Sequence, residues 1–213
     1  MRQCAFALPL LLLPLLSVAQ HSHTGILGGA SLSQHSPSYA GKNVPVINGY
    51  VGAYRSISIT PYLSIESGLY LTQRGARYEY DPQSGTVPVI PTDLRSTRTT
   101  LSYIMLPMVL QKNMDDFLSV HLGGYAAGLV HSWNKFTLTS GDEEHWYDWG
   151  IFTPYRNTYT HYDLGLRAGL RYLFTSHLVL NASYDHGLVG IMKRVINESP
   201  KNRSLSLSVG YQW

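Results

Sequence analysis

The last ten residues alternate without interruption between small or polar side chains and apolar side chains. In a β-strand, successive side chains point to opposite faces, so the apolar ones share a face. That face carries Leu205, Leu207, Val209, Tyr211 and Trp213. Strands of soluble sandwiches show the same alternation, which alone predicts only a strand with one apolar and one polar face. Because outer-membrane barrels carry aromatic rings at the membrane interface, the terminal tryptophan favours the closing strand of such a barrel.

The N-terminus has the pattern of a secretory signal peptide. Met1 and Arg2 precede an apolar run at 5–16, and the small-residue sequence SVA follows at 17–19. The run is too short to cross a bilayer as a helix, which needs about 20 residues. We therefore expect a signal peptide at 1–19, cleaved after Ala19, with an uncleaved membrane anchor as the alternative. The remaining residues, 20–213, fall within the size range of one domain.

Composition narrows the class further. The mature part has no second apolar stretch of helical length, so any membrane crossing must be made by strands. Charged residues make up only 14% of the chain and tyrosine occurs 16 times, which suits a barrel whose outer surface meets lipid. Cys4 is the only cysteine, so the mature chain can form neither disulfides nor thiolate metal sites. The net charge of +3 is too small to argue for a nucleic-acid partner.

Segments with a two-residue period predict eight strands. They are Gly25–Gln34, Val46–Arg55, Tyr62–Gln73, Thr99–Leu110, Phe117–Val130, Tyr159–Phe174, Leu178–Asp185 and Ser204–Trp213. Short connections alternate with long ones, the long ones at about 34–45, 74–98, 131–158 and 186–203. Membrane barrels have short periplasmic turns and longer extracellular loops in this alternation. The sequence thus predicts an all-β fold, a single eight-stranded antiparallel transmembrane β-barrel with up-and-down meander topology.

Four segments carry a more specific resemblance: YLSIESGLYLTQRG at 62–75, YIMLPMVLQ at 103–111, GGY at 123–125 and DLGLRAG at 163–169. With them in this order, the mature chain resembles the PorT-like outer-membrane β-barrel family of Gram-negative bacteria. The resemblance implies residence in the cell outer membrane. It also implies that the barrel-assembly machinery reads the C-terminal strand, with Trp213 as the assembly signal. The family's name-giving member is tied to protein secretion, which makes an accessory secretion role an alternative for this chain.

The inward phase of the predicted strands carries several charged or titratable side chains. They are Glu66, His121, Asp163, Arg167, Arg171 and Asp185. Carboxylates and guanidinium groups in a narrow lumen can form bidentate pairs, and an eight-stranded barrel is only about wide enough for its own side chains. We therefore expect a structural polar cluster in which Glu66 pairs with Arg167 or Arg171, with an ion or proton path as the alternative. The same alternation along the strand at Tyr159–Phe174 places Leu166 on the lipid-facing side and Gly165 on the lumen side. On grounds of polarity alone, serine would be tolerated at position 165.

The long connections contain candidate binding residues. Trp133, Trp146 and Trp149 lie in or beside the third one, near acidic residues at 142–144, and form a candidate surface-loop binding site for a sugar or a cation. The simpler interpretation is a packed hairpin with interfacial aromatics. Basic residues also collect near this rim, and phosphates of lipopolysaccharide would attract them. They are Arg74, Arg77, Arg95, Arg98, Lys193, Arg194, Lys201 and Arg203.

Signatures of enzymes are weak in this chain. No phosphate-binding glycine loop, His-Glu-x-x-His run or nucleophile elbow occurs. His131 with Ser132, or His161 with Asp163, are the only pieces of a lipid-modifying site, and we expect no catalytic, metal or cofactor site. The sequence predicts a structural, adhesive or scaffolding protein of the cell surface, without an open pore, whose partners are outer-membrane lipid, lipopolysaccharide and the assembly machinery. A secretion accessory and a lipid-modifying enzyme are the alternatives; a soluble ligand-binding barrel is disfavoured by the polar lumen phase.

Overall fold

The computed structural model describes residues 22–37, 42–79, 94–138, 144–149, 159–192 and 199–213. The strands in these ranges are β1 (Ser22–Ser36), β2 (Lys42–Val44), β3 (Val46–Thr60), β4 (Leu63–Glu79), β5 (Leu94–Asn113), β6 (Leu118–Leu138), β7 (Glu144–Trp149), β8 (Tyr162–Leu173), β9 (Leu178–Gly190) and β10 (Lys201–Gln212). No helix in these ranges is long and apolar enough to cross a membrane. The predicted signal peptide lies outside the described residues.

Eight of the strands form a closed antiparallel ring. Its order follows the chain, β1, β3, β4, β5, β6, β8, β9 and β10, and β10 pairs with β1 to close it. The backbones of Trp213 and Thr24 extend this closure with two hydrogen bonds of 2.9 and 3.2 Å. The predicted eight-stranded meander is confirmed. Closure pairs the first and last strands, which would otherwise present unpaired sheet edges.

The predicted faces of the strands are also as expected. On β8, Leu166 and Leu170 are exposed on the outer surface, whereas Asp163 and Arg167 are buried in the lumen. On β10 the serines are buried and the alternating leucines exposed. Exposed apolar side chains continue around the ring, including Ile26, Leu32, Val51, Leu69, Leu71, Ile104, Leu106, Leu122, Leu164 and Leu188. An apolar band around a barrel with a polar interior is the pattern of a protein that is surrounded by lipid.

Short turns lie at one end of the barrel, the inner end, together with both described termini. They comprise residues 61–62, 114–117 and 174–177. Exposed aromatic side chains surround this end: Tyr62, Phe117, Tyr172, Phe174, Tyr211 and Trp213. The rings of Tyr172 and Phe174 meet edge to face at 5.0 Å. Such a belt marks a membrane interface, because aromatic side chains favour the boundary between hydrocarbon and water.

The opposite, outer end has longer strands than the sequence predicted. β4 continues to Glu79, β5 begins at Leu94 and β6 continues to Leu138, and the short strands β2 and β7 pair with β4 and β6. Residues predicted as loop therefore form a sheet in the order β2, β4, β5, β6 and β7. The period-two signal is weak there because both faces of this extension carry polar residues, while backbone pairing continues unchanged.

At its outer half, β4 leaves β3 and packs against β1. The pairing of β3 with β4 ends at Tyr50 and Thr72, although β3 stays paired with β1 as far as Val46. The hydroxyl of Ser33 accepts a 2.9 Å hydrogen bond from the amide of Gly75 and lies 3.1 Å from its carbonyl oxygen. At this level the hydroxyl of Ser33 on β1 thus takes the place of β3 as a hydrogen-bond partner of β4.

Several lumen glycines lie directly opposite aromatic rings. Gly165 pairs with Tyr125 and Gly52 pairs with Tyr70. A Cβ atom at Gly165 would lie 2.5 Å from the Tyr125 ring and 2.4 Å from the carbonyl oxygen of His186. The expectation that Gly165 tolerates serine, made from polarity, is therefore wrong for a steric reason. Glycine at this position leaves the space that the cross-strand tyrosine ring fills.

We expect Gly165→Ser to lower the free energy of unfolding by about 1–3 kcal/mol, because the added atoms overpack a rigid wall. Gly128 on β6 is the control, since a Cβ there meets nothing within 4 Å. Gly128→Ser should change the stability far less. Both values come from reversible urea unfolding in phospholipid vesicles. Equal stability of the two variants would contradict the steric argument.

Candidate functional site

All six predicted lumen residues point inward. Glu66, His121, Asp163, Arg167, Arg171 and Asp185 are each at most 5% exposed. They come from four strands, β4, β6, β8 and β9. A buried charge is costly unless it is paired, so the partners of each group determine what the cluster can do.

The first group lies nearer the inner end and consists of Arg171 and Glu66. The two side chains form a bidentate pair, in which Arg171 Nη2 donates to Glu66 Oε1 at 3.0 Å and Nη1 donates to the second oxygen. Arg171 Nη1 also donates to Gln111 Oε1 at 3.2 Å. The guanidinium carbon lies 4.3 Å from the centre of the Tyr54 ring, a cation–π distance. This arrangement fixes the guanidinium on two sides.

The second group is organised by Arg74, which is fully buried. Its Nη1 lies 2.9 Å from Asp163 Oδ2, and its Nη2 lies 2.8 Å from Asp185 Oδ2. Nη1 also donates to the hydroxyl of Tyr125 at 2.7 Å, and that hydroxyl donates to Asp163 Oδ2 at 3.1 Å. The sequence interpretation of Arg74 as an outer-loop residue is wrong. Its place in the inward phase of β4, after Tyr70 and Thr72, is the signal that would have identified it.

Arg167 belongs to the second group through Asp185. Its Nε lies 3.3 Å from Asp185 Oδ1, and its Nη2 donates to the Tyr50 hydroxyl at 3.0 Å. The rings of Tyr50 and Tyr70 both lie 5.5 Å from its guanidinium carbon. Of the two partners predicted for Glu66, Arg171 is therefore the one found, while Arg167 binds Asp185. The formal charges of three arginines and three carboxylates cancel within the lumen.

Tyrosine rings fill most of the space around these charges. Tyr50, Tyr54, Tyr70, Tyr103 and Tyr125 are at most 5% exposed and face the lumen. The abundance of tyrosine, expected from a lipid-facing surface, reflects that surface only for the exposed tyrosines. Inside, a tyrosine ring covers a guanidinium face while its hydroxyl satisfies a charge. His121 adds a contact of 3.4 Å between its Nε2 and the Ser183 hydroxyl.

Apolar side chains close the lumen at the outer end. Tyr159 and Ile191, from the two connections that flank β8 and β9, are buried against Leu101 and Tyr103. The Tyr159 hydroxyl donates to Asn134 Oδ1 at 3.0 Å, and the amide of Thr160 donates to the Ile191 carbonyl at 2.8 Å. At the inner end, by contrast, a cavity of about 500 Å³ reaches Gln111 and Arg171. Among the described residues, the interior is thus packed at its outer end and accessible from its inner end.

A double-mutant cycle can measure the Glu66 and Arg171 pair. We expect Glu66→Gln to lower the free energy of unfolding by about 3–5 kcal/mol, because it leaves an uncompensated guanidinium. Adding Arg171→Gln should recover part of this loss, with a coupling energy of about 0.5–3 kcal/mol. The same cycle with Arg167→Gln is the control and should show a clearly smaller coupling. Equal coupling for both arginines would contradict the observed pairing.

The family follows from a comparison of the whole sequence with known protein families. Residues 5–212 match the model of the outer membrane protein beta-barrel domain. The chain belongs to this family. It is therefore an outer-membrane β-barrel protein, and its inner end with the short turns is periplasmic, whereas its outer end is extracellular. No curated protein matches the sequence significantly.

Solved structures of similar barrels share low sequence identity with this outer-membrane protein. The attachment invasion locus protein Ail of Yersinia pestis is 12% identical, with 91% of this chain and 99% of that chain covered and a TM-score of 0.47. Neisserial surface protein A is 15% identical, with 90% and 95% covered and a TM-score of 0.45. OprG from Pseudomonas aeruginosa is 11% identical, with 90% and 96% covered and a TM-score of 0.44.

The remaining candidate residues of the outer-membrane barrel do not converge on one described site. Trp133 faces outward on β6, 37% exposed. Trp146 and Trp149 lie in β7 opposite Lys135 and Ser132, but their side chains are outside the described residues. His131 and Ser132 are adjacent on a strand and so point to opposite faces. His161 is exposed, whereas Asp163 is buried on Arg74. The described ranges contain no group of three His, Cys, Asp or Glu residues that could hold a metal ion.

Proposed function

We propose that this protein is a closed outer-membrane barrel with a structural, adhesive or scaffolding role at the cell surface and without catalytic turnover. The filled lumen is the observation that carries the proposal. Lumen carboxylates form ion pairs with Arg74, Arg167 and Arg171, and tyrosine rings occupy the space between the pairs. A solute would have to displace this network and the apolar closure around Tyr159. The part of the molecule that remains available for function is its surface.

The outer sheet supports a role at the cell surface. β4, β5 and β6 extend past the apolar band, and β2 and β7 widen the sheet that they form. A paired sheet is a more rigid support for binding residues than an isolated loop, because its backbone hydrogen bonds restrain it. The surface that this sheet offers to the exterior is where we place adhesion or scaffolding.

Electrical recordings test the closed lumen. In planar bilayers, the wild-type barrel is expected to show conductance near the baseline of protein-free membranes. A variant with Arg74, Tyr50 and Tyr70 all changed to alanine removes three large inward side chains and is expected to conduct, provided that heat-modifiability on a gel shows a folded barrel. A steady large conductance of the wild type would overturn the proposal.

A deletion strain tests the surface role. Attachment of cells to surfaces and resistance of the envelope to detergent are compared between the wild type, the deletion and a strain that expresses the chain without residues 80–93. We expect the strain in which the whole gene is deleted to lose surface attachment, envelope resistance or both. Unchanged attachment and envelope resistance in the deletion strain would contradict a structural or adhesive role.

The periplasmic cavity favours a second candidate, an accessory role in protein secretion. The resemblance to PorT-like barrels points to the same role. The cavity is lined by residues of the turns and strand ends, with polar ones, including His23, Gln111, Asn113, Asp116 and Arg171, beside apolar ones such as Met114, Phe117 and Leu173. A photoreactive amino acid in place of Asp116 should crosslink a periplasmic secretion component if this role exists. The control is the same substitution at Arg98, at the other end of the barrel, which should not give that product.

We further propose export through a signal peptide cleaved after Ala19, which mass spectrometry of the mature protein would test.

A lipid-modifying enzyme is disfavoured because Asp163, the acidic member of one candidate pair, is bonded to Arg74, Tyr125 and Asn202. Deletion should therefore leave the mass of lipid A unchanged.

Trp213 is proposed as the signal that the barrel-assembly machinery reads. Its side chain is 59% exposed, and its backbone pairs with Thr24 at ring closure. We expect Trp213→Ser to lower the membrane-inserted fraction in cells more than it lowers the stability of the refolded barrel. Trp213→Phe keeps an interfacial ring and should insert nearly as the wild type does. Equal insertion of all three proteins would contradict the proposal.

A further inference from the structure

Basic side chains form a row across the outer face of the extended sheet. Arg77 on β4 lies directly opposite Arg98 on β5, and Arg98 lies opposite Lys135 on β6. Arg77 and Arg98 are exposed and alternate with the buried Tyr78 and Thr97, so they belong to the outward phase of their strands. Like charges in directly opposed positions of a sheet destabilise it. A row of this kind is stabilised when an anion binds to it.

A concavity lies along the same row. It has a volume of about 440 Å³ and is lined by Arg77, Glu79, Arg95, Ser96 and Thr137. Glu79, Ser96 and Thr137 occupy one cross-strand row, next to the arginine row. Guanidinium groups bind phosphate. The carboxylate can accept hydrogen bonds from sugar hydroxyls, and the hydroxyl groups can both donate to them and accept from them. The lining therefore suits a phosphorylated sugar better than an apolar ligand.

The two arginines that line this groove, Arg77 and Arg95, and the adjacent Arg98 have N–H donors available. Within the described ranges, Arg77, Arg95 and Arg98 form no ion pair with a carboxylate. Arg98 uses one nitrogen on the carbonyl oxygen of Ile47, at 3.2 Å, which holds its side chain across the gap between β3 and β4. A guanidinium has five N–H donors, so this contact positions Arg98 and leaves others for a ligand.

The height of the groove on the barrel identifies the ligand class. On β6, Lys135 follows Trp133 by two residues on the same outward face, which is about 7 Å along the strand. Exposed tryptophan marks the membrane interface, and below it the same face of β5 carries Ile104 and Leu106. The row therefore lies just outside the hydrocarbon of the outer leaflet. At that height a Gram-negative outer membrane presents the phosphorylated sugars of lipopolysaccharide.

We propose that the groove lined by Arg77 and Arg95, with Arg98 directly beside it, binds the phosphorylated sugar headgroup of lipopolysaccharide. Its residues come from β4, β5 and β6, which places the site on one side of the barrel. Binding there neutralises the opposed cations and ties the extended sheet to the outer leaflet. The site does not depend on the lumen, so a conducting barrel would leave this inference intact.

Native mass spectrometry of the detergent-solubilised protein tests the site. The probes are bisphosphorylated lipid A, lipid A without phosphates and phosphatidylglycerol. We expect the wild type to bind bisphosphorylated lipid A at least about tenfold more tightly than either other lipid, because only it offers phosphates on a sugar. Equal affinity for lipid A with and without phosphates, or for phosphatidylglycerol, would overturn the proposal.

Matched variants locate the binding on the barrel. The double variant Arg77→Gln with Arg98→Gln should bind bisphosphorylated lipid A at least about tenfold more weakly than the wild type. The control, Arg55→Gln with Lys112→Gln, removes two exposed cations at the periplasmic end and should stay within about twofold of the wild type. Arg77→Gln with Arg95→Gln keeps the Arg98 contact to Ile47, so it reports on the groove even if the first variant folds poorly. Affinity of this second variant equal to that of the control would refute the site.

Discussion

Replacing Arg74 with glutamine is expected to lower the free energy of unfolding by about 3–5 kcal/mol. The guanidinium contacts Asp163 and Asp185 at 2.9 and 2.8 Å, and all three side chains are at most 2% exposed. Its loss leaves two carboxylates close together in the lumen without their shared counter-ion. Their mutual repulsion and desolvation act in the same direction, so we expect a loss of stability at least as large as that of Glu66→Gln.

The Arg74 experiment has a control and a rescue. Arg55→Gln removes an exposed arginine of the neighbouring β3, whose 3.5 Å contact to Ser22 is weak, and should cost less than about 0.5 kcal/mol. Asp185 still has Arg167 as a partner in the Arg74→Gln variant, so combining Arg74→Gln with Asp163→Asn removes the carboxylate that lost its counter-ion and should recover part of the loss. The measurement is reversible urea unfolding in phospholipid vesicles. A loss for Arg74→Gln no greater than that of the control would show that the buried network does not stabilise the barrel.

Replacing Leu166 with arginine is expected to lower the free energy of unfolding by about 2–4 kcal/mol, measured in the same vesicles. Leu166 lies at the middle of β8, on the outer surface, and its side chain is 53% exposed on the isolated barrel. In a bilayer this position faces hydrocarbon, where a charged side chain is unfavourable. On a surface that faced water, the same substitution would change the free energy of unfolding by less than about 0.5 kcal/mol, so the size of the loss reports on lipid contact.

Tyr162 provides the depth control for this experiment. It is on the same face of the same strand, at the extracellular end of β8, and is 57% exposed. Arginine near an interface costs about 0–1 kcal/mol, because the side chain reaches water. Tyr162→Arg should therefore be much less destabilising than Leu166→Arg. Equal costs at the two positions would mean that the apolar band does not lie where the strand phases place it.

The site could be predicted only in part. The alternation on β8 identified Asp163, Arg167 and Arg171 as inward residues, because the phase of a strand assigns every second side chain to one face. Which carboxylate binds which arginine was not predictable, since pairing across a lumen depends on strand register and barrel shear. In the structure, Glu66 pairs with Arg171, and Asp185 pairs with Arg167.

Arg74 shows the main error of the sequence interpretation and its cause. Its neighbourhood lacks apolar residues on the outward phase, so the pattern of a lipid-facing strand ends before it. The backbone nevertheless continues in β4, because pairing with β5 needs no apolar side chains. Local pattern detects the part of a strand that is surrounded by lipid, whereas the rest of the strand is determined by its neighbours.

Sequence alone determined the membrane β-barrel, its eight ring strands and the faces of most of them, since lipid outside and polar groups inside impose a two-residue period on a strand. Only the tertiary structure decided how the interior is filled. Tyrosine rings opposite glycines, the bend of β4 onto Ser33 and the central position of Arg74 all involve residues far apart in the chain. Such contacts depend on distances across the lumen, which no local pattern encodes.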